Sequence, residues 1–393
     1  MGESGHGGGD AEGIDVVHML WVGAGGIPDF PYRCIASYVA TGNNVHLWVY
    51  PQQQEAASPQ QGAGGQDSPP PLPPGVTLRD ANQIIPLETA LEIGYFHGMG
   101  PELKWPSWST FADLFRYELL FREGGWWCDA DSIAVRCLRD VEFFPRGGGH
   151  IFATEHWRPG GYRNIILAVP IPGTADAGSL PEYINSDSKD ESKAWREAPR
   201  EISVHSVVVT NSHIRAPRGS KVMRACADLL RPLMEAYAAQ CREFKLGDEA
   251  VEWALPTGGE GLRIFQEQVA AGIETGGQEG DELLAAVQHY AVFNPVEIDD
   301  FPGGLRVLQG LRGVPEATCT VHCFGMIRDN WKALKLEIPK PFNIVRESGN
   351  GQLLTDIKKL EAAEKRAENA RKKKEREAKK QAAAEAGAAA AIA

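Results

Sequence analysis

The first apolar run, DVVHMLWVG from Asp15, stops at Gly23 and predicts a buried strand ending in a Gly-rich turn. A helix is expected over Tyr32–Ala40, and VHLWVY, Val45–Tyr50, reads as a second strand. The clearest periodicity lies at 108–123. There Trp108, Phe111, Phe115 and Leu119 recur at helical spacing, as do Leu114, Tyr117 and Phe121. Ser107 or Ser109 can cap its start, and Gly124-Gly125 can end it in a left-handed turn. The next stretch, WWCDADSIAV, is apolar at both ends with acids between. It predicts a strand that surfaces at Asp129 and continues at Ile133. Ile151–Thr154, Ile165–Val169 and Val204–Thr210 are further strands, Ser220–Arg242 and Glu260–Ala271 are helices, and Thr320–Phe324 is a late short strand. Strands and helices alternate, so the predicted class is α/β with a largely parallel sheet. Such sheets place ligands at the carboxyl ends of their strands, where Trp21 and the Asp129 segment stand.

Composition divides the chain. Residues 1–13 are Gly-rich and carry no core. Residues 51–75, which include PPPLPP, form a low-complexity Pro/Gln insertion leaving a strand end. From 351 to 393 the chain becomes a charged, then Ala-rich helical tail. Residues 356–385 hold eleven basic and seven acidic side chains, a net +4, which leaves −16 on the rest of a chain of net charge −12. Few apolar positions make that tail a poor coiled coil and a good solvated helix. One large domain over 14–350 is therefore expected. The acidic balance argues against nucleic-acid binding. No run reaches the roughly 18 apolar residues of a membrane span. No secretory leader is evident at the N-terminus, and the seven scattered cysteines lack a CxxC pair, so a cytoplasmic location is expected.

The candidate chemistry centres on Asp129-Ala130-Asp131. Two carboxylates one residue apart on a strand leaving the core cannot both enter apolar packing, because a buried carboxylate needs a partner or a cation. An exposed Asp pair in a turn is common. Here, however, a capped helix, two glycines and a Trp-Trp-Cys step lead into the pair. Hard oxygen ligands at this spacing suit Mg²⁺ or Mn²⁺ bridging two phosphates. Asp113 and Arg116, three apart, share one helix face; a local ion pair would explain them, but their place beside the Asp129 strand favours a functional role.

The stretch STFADLFRYELLFREGGWWCDADSIAV resembles the core motif of DxD-containing glycosyltransferases of the GT-A, Rossmann-like fold. It is most similar to the sugar-binding-region group related to initiating mannosyltransferases, capsular-polysaccharide transferases and glucosylating clostridial toxins. Asp113, Arg116, Tyr117, Gly124, Gly125, Asp129 and Asp131 stand in register with that pattern. The resemblance implies a metal-dependent, retaining hexosyltransferase that takes a UDP- or GDP-sugar donor, with a glycan, lipid or protein acceptor left undefined. It implies direct ligation of the metal by Asp131, with Asp129 shared between metal and donor. Asp113 and Arg116 would hold donor sugar hydroxyls, Arg116 also balancing developing charge. HMLWVG, His18–Gly23, resembles the group's first strand, with Trp21 as a face for the nucleobase. Asn211 resembles a donor-sugar contact. His322 is a candidate third metal ligand, and Trp331 a candidate wall over the diphosphate. The spacing from His322 to Asn330-Trp331 is longer than in most of the group, and Thr257-Gly258-Gly259 lacks the group's Pro.

Two other classes remain open at this level. A phosphohydrolase of the haloacid dehalogenase type also places Asp-x-Asp after an apolar strand, and Asp299-Asp300 could serve it as a later acidic pair. Ile133 in the fifth motif position and the mid-chain location speak against it. A catalytically silent scaffold on the same fold would need no intact Asp113, Arg116, Asp129 and Asp131 set.

Overall fold

The computed structural model describes residues 16–23, 27–51, 72–93, 108–140, 149–156, 166–168, 182–184, 206–243, 260–288, 290–296, 306–308 and 312–323. The expected N-terminal segment, most of the 51–75 insertion and the C-terminal tail lie outside them. Trp331, Asn330, Asp299-Asp300 and Thr257–Gly259 do too. The chain divides into two units, Met1–Asp300 with Ala317–Asn330, and Phe301–Glu316 with Trp331–Ala393. In the second, the described residues are two short segments, in which the Arg312 amide donates to the Arg306 carbonyl at 3.1 Å.

The first unit is mixed α/β. Its strands are β1 (Val16–Leu20), β2 (Asn44–Val49), β3 (Val76–Asp80), β4 (Gly125–Cys128), β5 (Ser132–Ala134), β6 (Ile151–His156), β7 (Ile166–Ala168), β8 (Glu182–Ile184), β9 (Ser206–Ala216) and β10 (Thr320–His322). Its helices are α1 (Asp29–Ala40), α2 (Leu87–Ile93), α3 (Trp108–Glu123), α4 (Lys221–Glu243), α5 (Glu260–Thr275), α6 (Gln278–Ala285) and α7 (Tyr290–Phe293). The main sheet runs β3-β2-β1-β4-β9-β7-β8, with β6 also paired to β9. Its first four strands are parallel, and every pairing from β4–β9 onward is antiparallel. Apolar runs alone do not distinguish the two halves, since strands covered on both faces read alike in either.

Strand alternation builds a core on each face. Trp126 and Cys128 of β4, with Val17 and Met19 of β1, pack against α1 and Phe293. Trp127, between them, points the other way and meets Phe115 of α3 with ring centroids 6.3 Å apart. That second face also takes α4 and α5. The double Trp is thus one anchor for each core. His18, on the α3 side of β1, is buried and joins the layers. Its Nδ1 accepts from Trp48 Nε1 at 3.1 Å, and its Nε2 lies 3.2 Å from the Gly124 carbonyl. Burial, the largest influence, lowers its pKa to about 3.

Two expectations change. The strand into the acids does not continue along the same sheet. The Ser132 amide and hydroxyl both close on the Asp129 carbonyl, at 3.1 and 2.7 Å, and this tight turn redirects the chain. β5 then pairs antiparallel with β10 in a separate two-stranded sheet, Ser132 opposite His322. The strand expected to end at Thr210 runs on to Ala216 as β9. Thr154 of β6 pairs with Val209, but Phe152 pairs with Ile214. This irregularity spans Thr210–His213 and lets a polar run stay within a strand while its side chains are re-aimed.

Gly124 closes α3 at φ 70, donating its amide to Leu120. A Cβ there would stand 2.7 Å from the Arg218 backbone nitrogen. Gly124→Ala is expected to destabilise the fold by about 1–2 kcal/mol through the left-handed backbone alone, with the Arg218 contact adding to it. Urea unfolding with an unchanged m value would register the loss.

Candidate functional site

Arg116 is the hub of the site. It rises from the middle of α3 and is 4% exposed. Its Nη2 lies 3.1 Å from Asp113 Oδ1, and its Nη1 lies 3.3 Å from Asp129 Oδ1. Nη1 also donates to the Asn211 carbonyl, and Nε donates to Ala112 at 3.2 Å. The guanidinium sits 4.9 Å from the centroid of the Trp127 ring. Burial alone would lower its pKa, but Asp129 and then Asp113 outweigh that and raise it. The Asp113–Arg116 pair is therefore more than a local contact on α3, because Arg116 also links it to the Asp129 turn.

Asn211, inside β9, donates both amide hydrogens, one to Asp113 Oδ1 and one to the Tyr117 hydroxyl, each at 2.9 Å. Tyr117 in turn donates to the Gly261 carbonyl at 2.9 Å. Gly261 opens α5 directly against Asp113. A Cβ on it would lie 2.3 Å from Asp113 Oδ2 and 2.5 Å from Asp113 Cβ. Rotating the Asp113 carboxyl cannot relieve the second contact, so glycine is required for α5 to approach α3. Burial, the largest influence, raises the Asp113 pKa to about 6 against the opposing pull of Arg116.

The two oxygens of Asp129 are divided. Oδ1 accepts from Trp127 Nε1 at 2.8 Å and faces Arg116. Oδ2 lies 3.9 Å from His322 Nε2. The same His322 nitrogen is 3.2 Å from Asp131 Oδ1. One ligand atom from each of Asp129, Asp131 and His322 lies within 4.8 Å of the others. This O,O,N donor set fits a divalent cation of the Mg²⁺ or Mn²⁺ kind. Burial pushes the His322 pKa down, but Asp131 and then Asp129 more than reverse it, and the net shift is upward. Burial is also the main reason that the Asp129 pKa is raised, with Arg116 and then His322 opposing.

Trp21 follows β1 at the carboxyl edge of the sheet, half-buried, its amide donating to the Trp48 carbonyl at 2.9 Å. Its Nε1 is buried and makes no hydrogen bond among the described residues. The structure thus brings Asp113, Arg116, Asn211, Asp129, Asp131 and His322 together. Sequence reasoning missed Trp127 and Gly261 as members. Trp127 stands two residues before Asp129, the spacing that puts strand neighbours on one face, which was a usable signal. Gly261 had none, because its role depends on how closely two helices approach.

No family model matches the chain, and no curated protein matches it. Among solved structures it is similar to one described as a PaToxG glycosyltransferase, with 14% identity over 70% of this chain and 76% of that one and a TM-score of 0.32. Among the described residues no helix is long and apolar enough to cross a membrane, and the six described cysteines are free and buried.

Gly261→Ala is expected to force α5 off α3 and cost about 1–3 kcal/mol, seen as a lower Tm with helicity retained. Asp113 gives a pH signature in metal-free protein. Its folded pKa, about 6, lies above the unfolded carboxyl value, so its stabilising share is complete below that unfolded value and is lost as pH rises through about 6. Wild type should therefore lose stability relative to Asp113→Asn as pH rises across that range, by on the order of 2–3 kcal/mol, whichever of the two is the more stable at the start. A stability difference that ignores pH would contradict this assignment.

Proposed function

We propose that the chain is a metal-dependent glycosyltransferase, moving a hexose from a UDP- or GDP-sugar to an acceptor with retention of anomeric configuration, on a GT-A type domain spanning 14–350. The observation that carries this reading is the ionic chain Asp113–Arg116–Asp129 running into the Asp129, Asp131 and His322 cluster. A bare metal centre would suit many reactions. A metal centre tied by a buried Arg to a second carboxylate offers two adjoining subsites, one for a diphosphate and one for a hydroxylated ring.

Asp131 Oδ1, His322 Nε2 and Asp129 Oδ2 are the atoms that would hold Mn²⁺ or Mg²⁺, and the imidazole favours Mn²⁺. When bound, the cation would supply positive charge to the departing nucleoside diphosphate. The chain's own residues do the rest. Arg116 holds the Asp129 and Asp113 carboxylates apart and oriented. Asp113, with Oδ1 engaged by Arg116 and Asn211 and Oδ2 packed against the start of α5, is assigned to a donor-sugar hydroxyl by the motif resemblance. Asn211 supports Asp113 from β9. Trp21 offers its ring to the nucleobase, and Trp331 is assigned to the diphosphate side by the motif resemblance.

The phosphohydrolase reading requires the first Asp of the pair to attack phosphorus. Asp129 Oδ1 instead accepts from Trp127 and faces Arg116, which leaves Oδ2 alone to serve both a cation and an attack on phosphorus. That geometry favours the transferase.

A thermal-shift series with Mn²⁺ and a panel of UDP- and GDP-sugars tests the proposal. With one donor at about 100 times its Kd, linkage predicts about 2.7 kcal/mol of stabilisation. The shift should vanish with chelator and in Asp131→Asn, which should remain folded and lose donor hydrolysis. Equal shifts and equal activity in wild type and Asp131→Asn would sink the reading.

A further inference from the structure

Behind the Asp129 turn lies a set of polar side chains that the proposed reaction does not use. Tyr38 of α1, Ser132 of β5, Ser212 and His213 of β9, and Thr320 of β10 are all buried, none more than 2% exposed. One direction of donation satisfies these hydrogen bonds together. Ser132 donates to the Asp129 carbonyl at 2.7 Å, so its oxygen must accept from the Tyr38 hydroxyl, also at 2.7 Å. Thr320 donates to the Phe293 carbonyl at 3.0 Å, so its oxygen must accept from His213 Nε2 at 3.2 Å. The Tyr38 oxygen, its proton spent on Ser132, is a longer second acceptor for that nitrogen at 3.4 Å. With Nε2 the protonated nitrogen, Nδ1 accepts from Ser212 at 3.1 Å. The tautomer of His213 is thus set by elimination.

This network ends on both halves of the cation site. One arm, Tyr38 to Ser132, reaches the carbonyl of Asp129 itself. The other, Thr320, stands two residues before His322 on β10, and the His213 ring meets the His322 ring edge-on with centroids 5.8 Å apart. Stacking on Phe293, at 5.5 Å, fixes the plane of His213. β5 and β10 form a sheet of two short strands, continued by the Cys323 amide donating to the Asp131 carbonyl at 3.0 Å, and the buried network backs this short pairing. Apolar side chains would fill the same space at lower desolvation cost. They would give no directional hold on a carbonyl in a turn.

We infer that His213 is a positioning residue for the cation site, acting through Tyr38 and Ser132 on the Asp129–Asp131 turn and through Thr320 on His322. The inference rests on the metal-binding part of the reading above, and goes beyond it by assigning a supporting layer to side chains outside the DxD motif. It touches neither donor nor acceptor.

The test uses the full chain and Mn²⁺ alone, titrated calorimetrically. Tyr38→Phe removes one oxygen from the core and should weaken Mn²⁺ binding about 10- to 100-fold while unfolding stays cooperative. Tyr38 and Ser132 act in series, so Tyr38→Phe with Ser132→Ala should lose no more than the worse single variant. A packing role would instead give additive losses that track Tm. His213→Gln, which keeps a donor toward Thr320, should retain most of the affinity that His213→Leu loses. A measurement on wild type needs no variant to fold: the imidazole ¹⁵N signals of His213 should report a neutral ring protonated at Nε2. The Nδ1-protonated form would break the chain of donors and overturn the inference. So would unchanged Mn²⁺ affinity in Tyr38→Phe. Failure of wild type itself to bind Mn²⁺ would overturn the metal reading along with it, and is distinguishable from both.

Discussion

Arg116 carries a charge that cannot be neutralised by losing its proton, and it sits where water does not reach. A cation in that position demands anions, and the surrounding structure is arranged to deliver them. Asp113 comes from one helical turn earlier on α3, and Asp129 comes from the far end of β4. Trp127 covers the guanidinium with its ring and grips Asp129 with its indole nitrogen. Removing either carboxylate would leave a buried positive charge partly uncompensated, a more serious loss than any exposed ion pair represents. The helix, the turn and the strand are therefore committed to one another through a single side chain.

The same constraint explains features that otherwise look unrelated. Gly261 lets α5 reach Asp113, and Tyr117 ties that helix start back to Asn211. The irregular stretch of β9 presents Asn211, Ser212 and His213 while keeping the strand hydrogen-bonded to β4, where the Asp129 amide donates to the Ser212 carbonyl at 3.0 Å. Asn211 serves the ion pair on the α3 side, and His213 serves the turn on the α1 side. One strand thus supports the acidic site from beneath on both faces. The site is held by hydrogen bonds with fixed directions, and the apolar cores on either side exclude the water that would weaken them.

Much of the local structure was legible in the chain. The periodic stretch 108–123 matches α3, Trp108–Glu123, and the Gly pair that follows takes positive φ at both positions. The runs at Val45–Tyr50 and Ile151–Thr154 became β2 and β6 with ends shifted by a few residues. Asp113, Arg116, Asp129, Asp131 and His322 were all named from the sequence and do converge. Less legible was β9, whose polar stretch reads as a strand end. Polar residues inside a strand are credible only when a buried hydrogen-bonding layer receives them, and that layer comes from four other elements. The antiparallel half of the sheet was equally hidden, because burial on both faces erases the alternation that would mark it.

Side-chain spacing along the chain by itself determined the helix that carries Asp113 and Arg116 and the acidic step that ends β4, because both are patterns among near neighbours. It also limited the chemistry, since two carboxylates at that spacing on an emerging strand need a cation or an arginine. Only the tertiary structure decided that they have the arginine as well as an imidazole beside them. It decided too that His322, 191 residues beyond Asp131, stands 3.2 Å from its carboxylate. Those outcomes depend on which strands become neighbours and how near two helices come, and no local periodicity encodes a distance between segments so far apart.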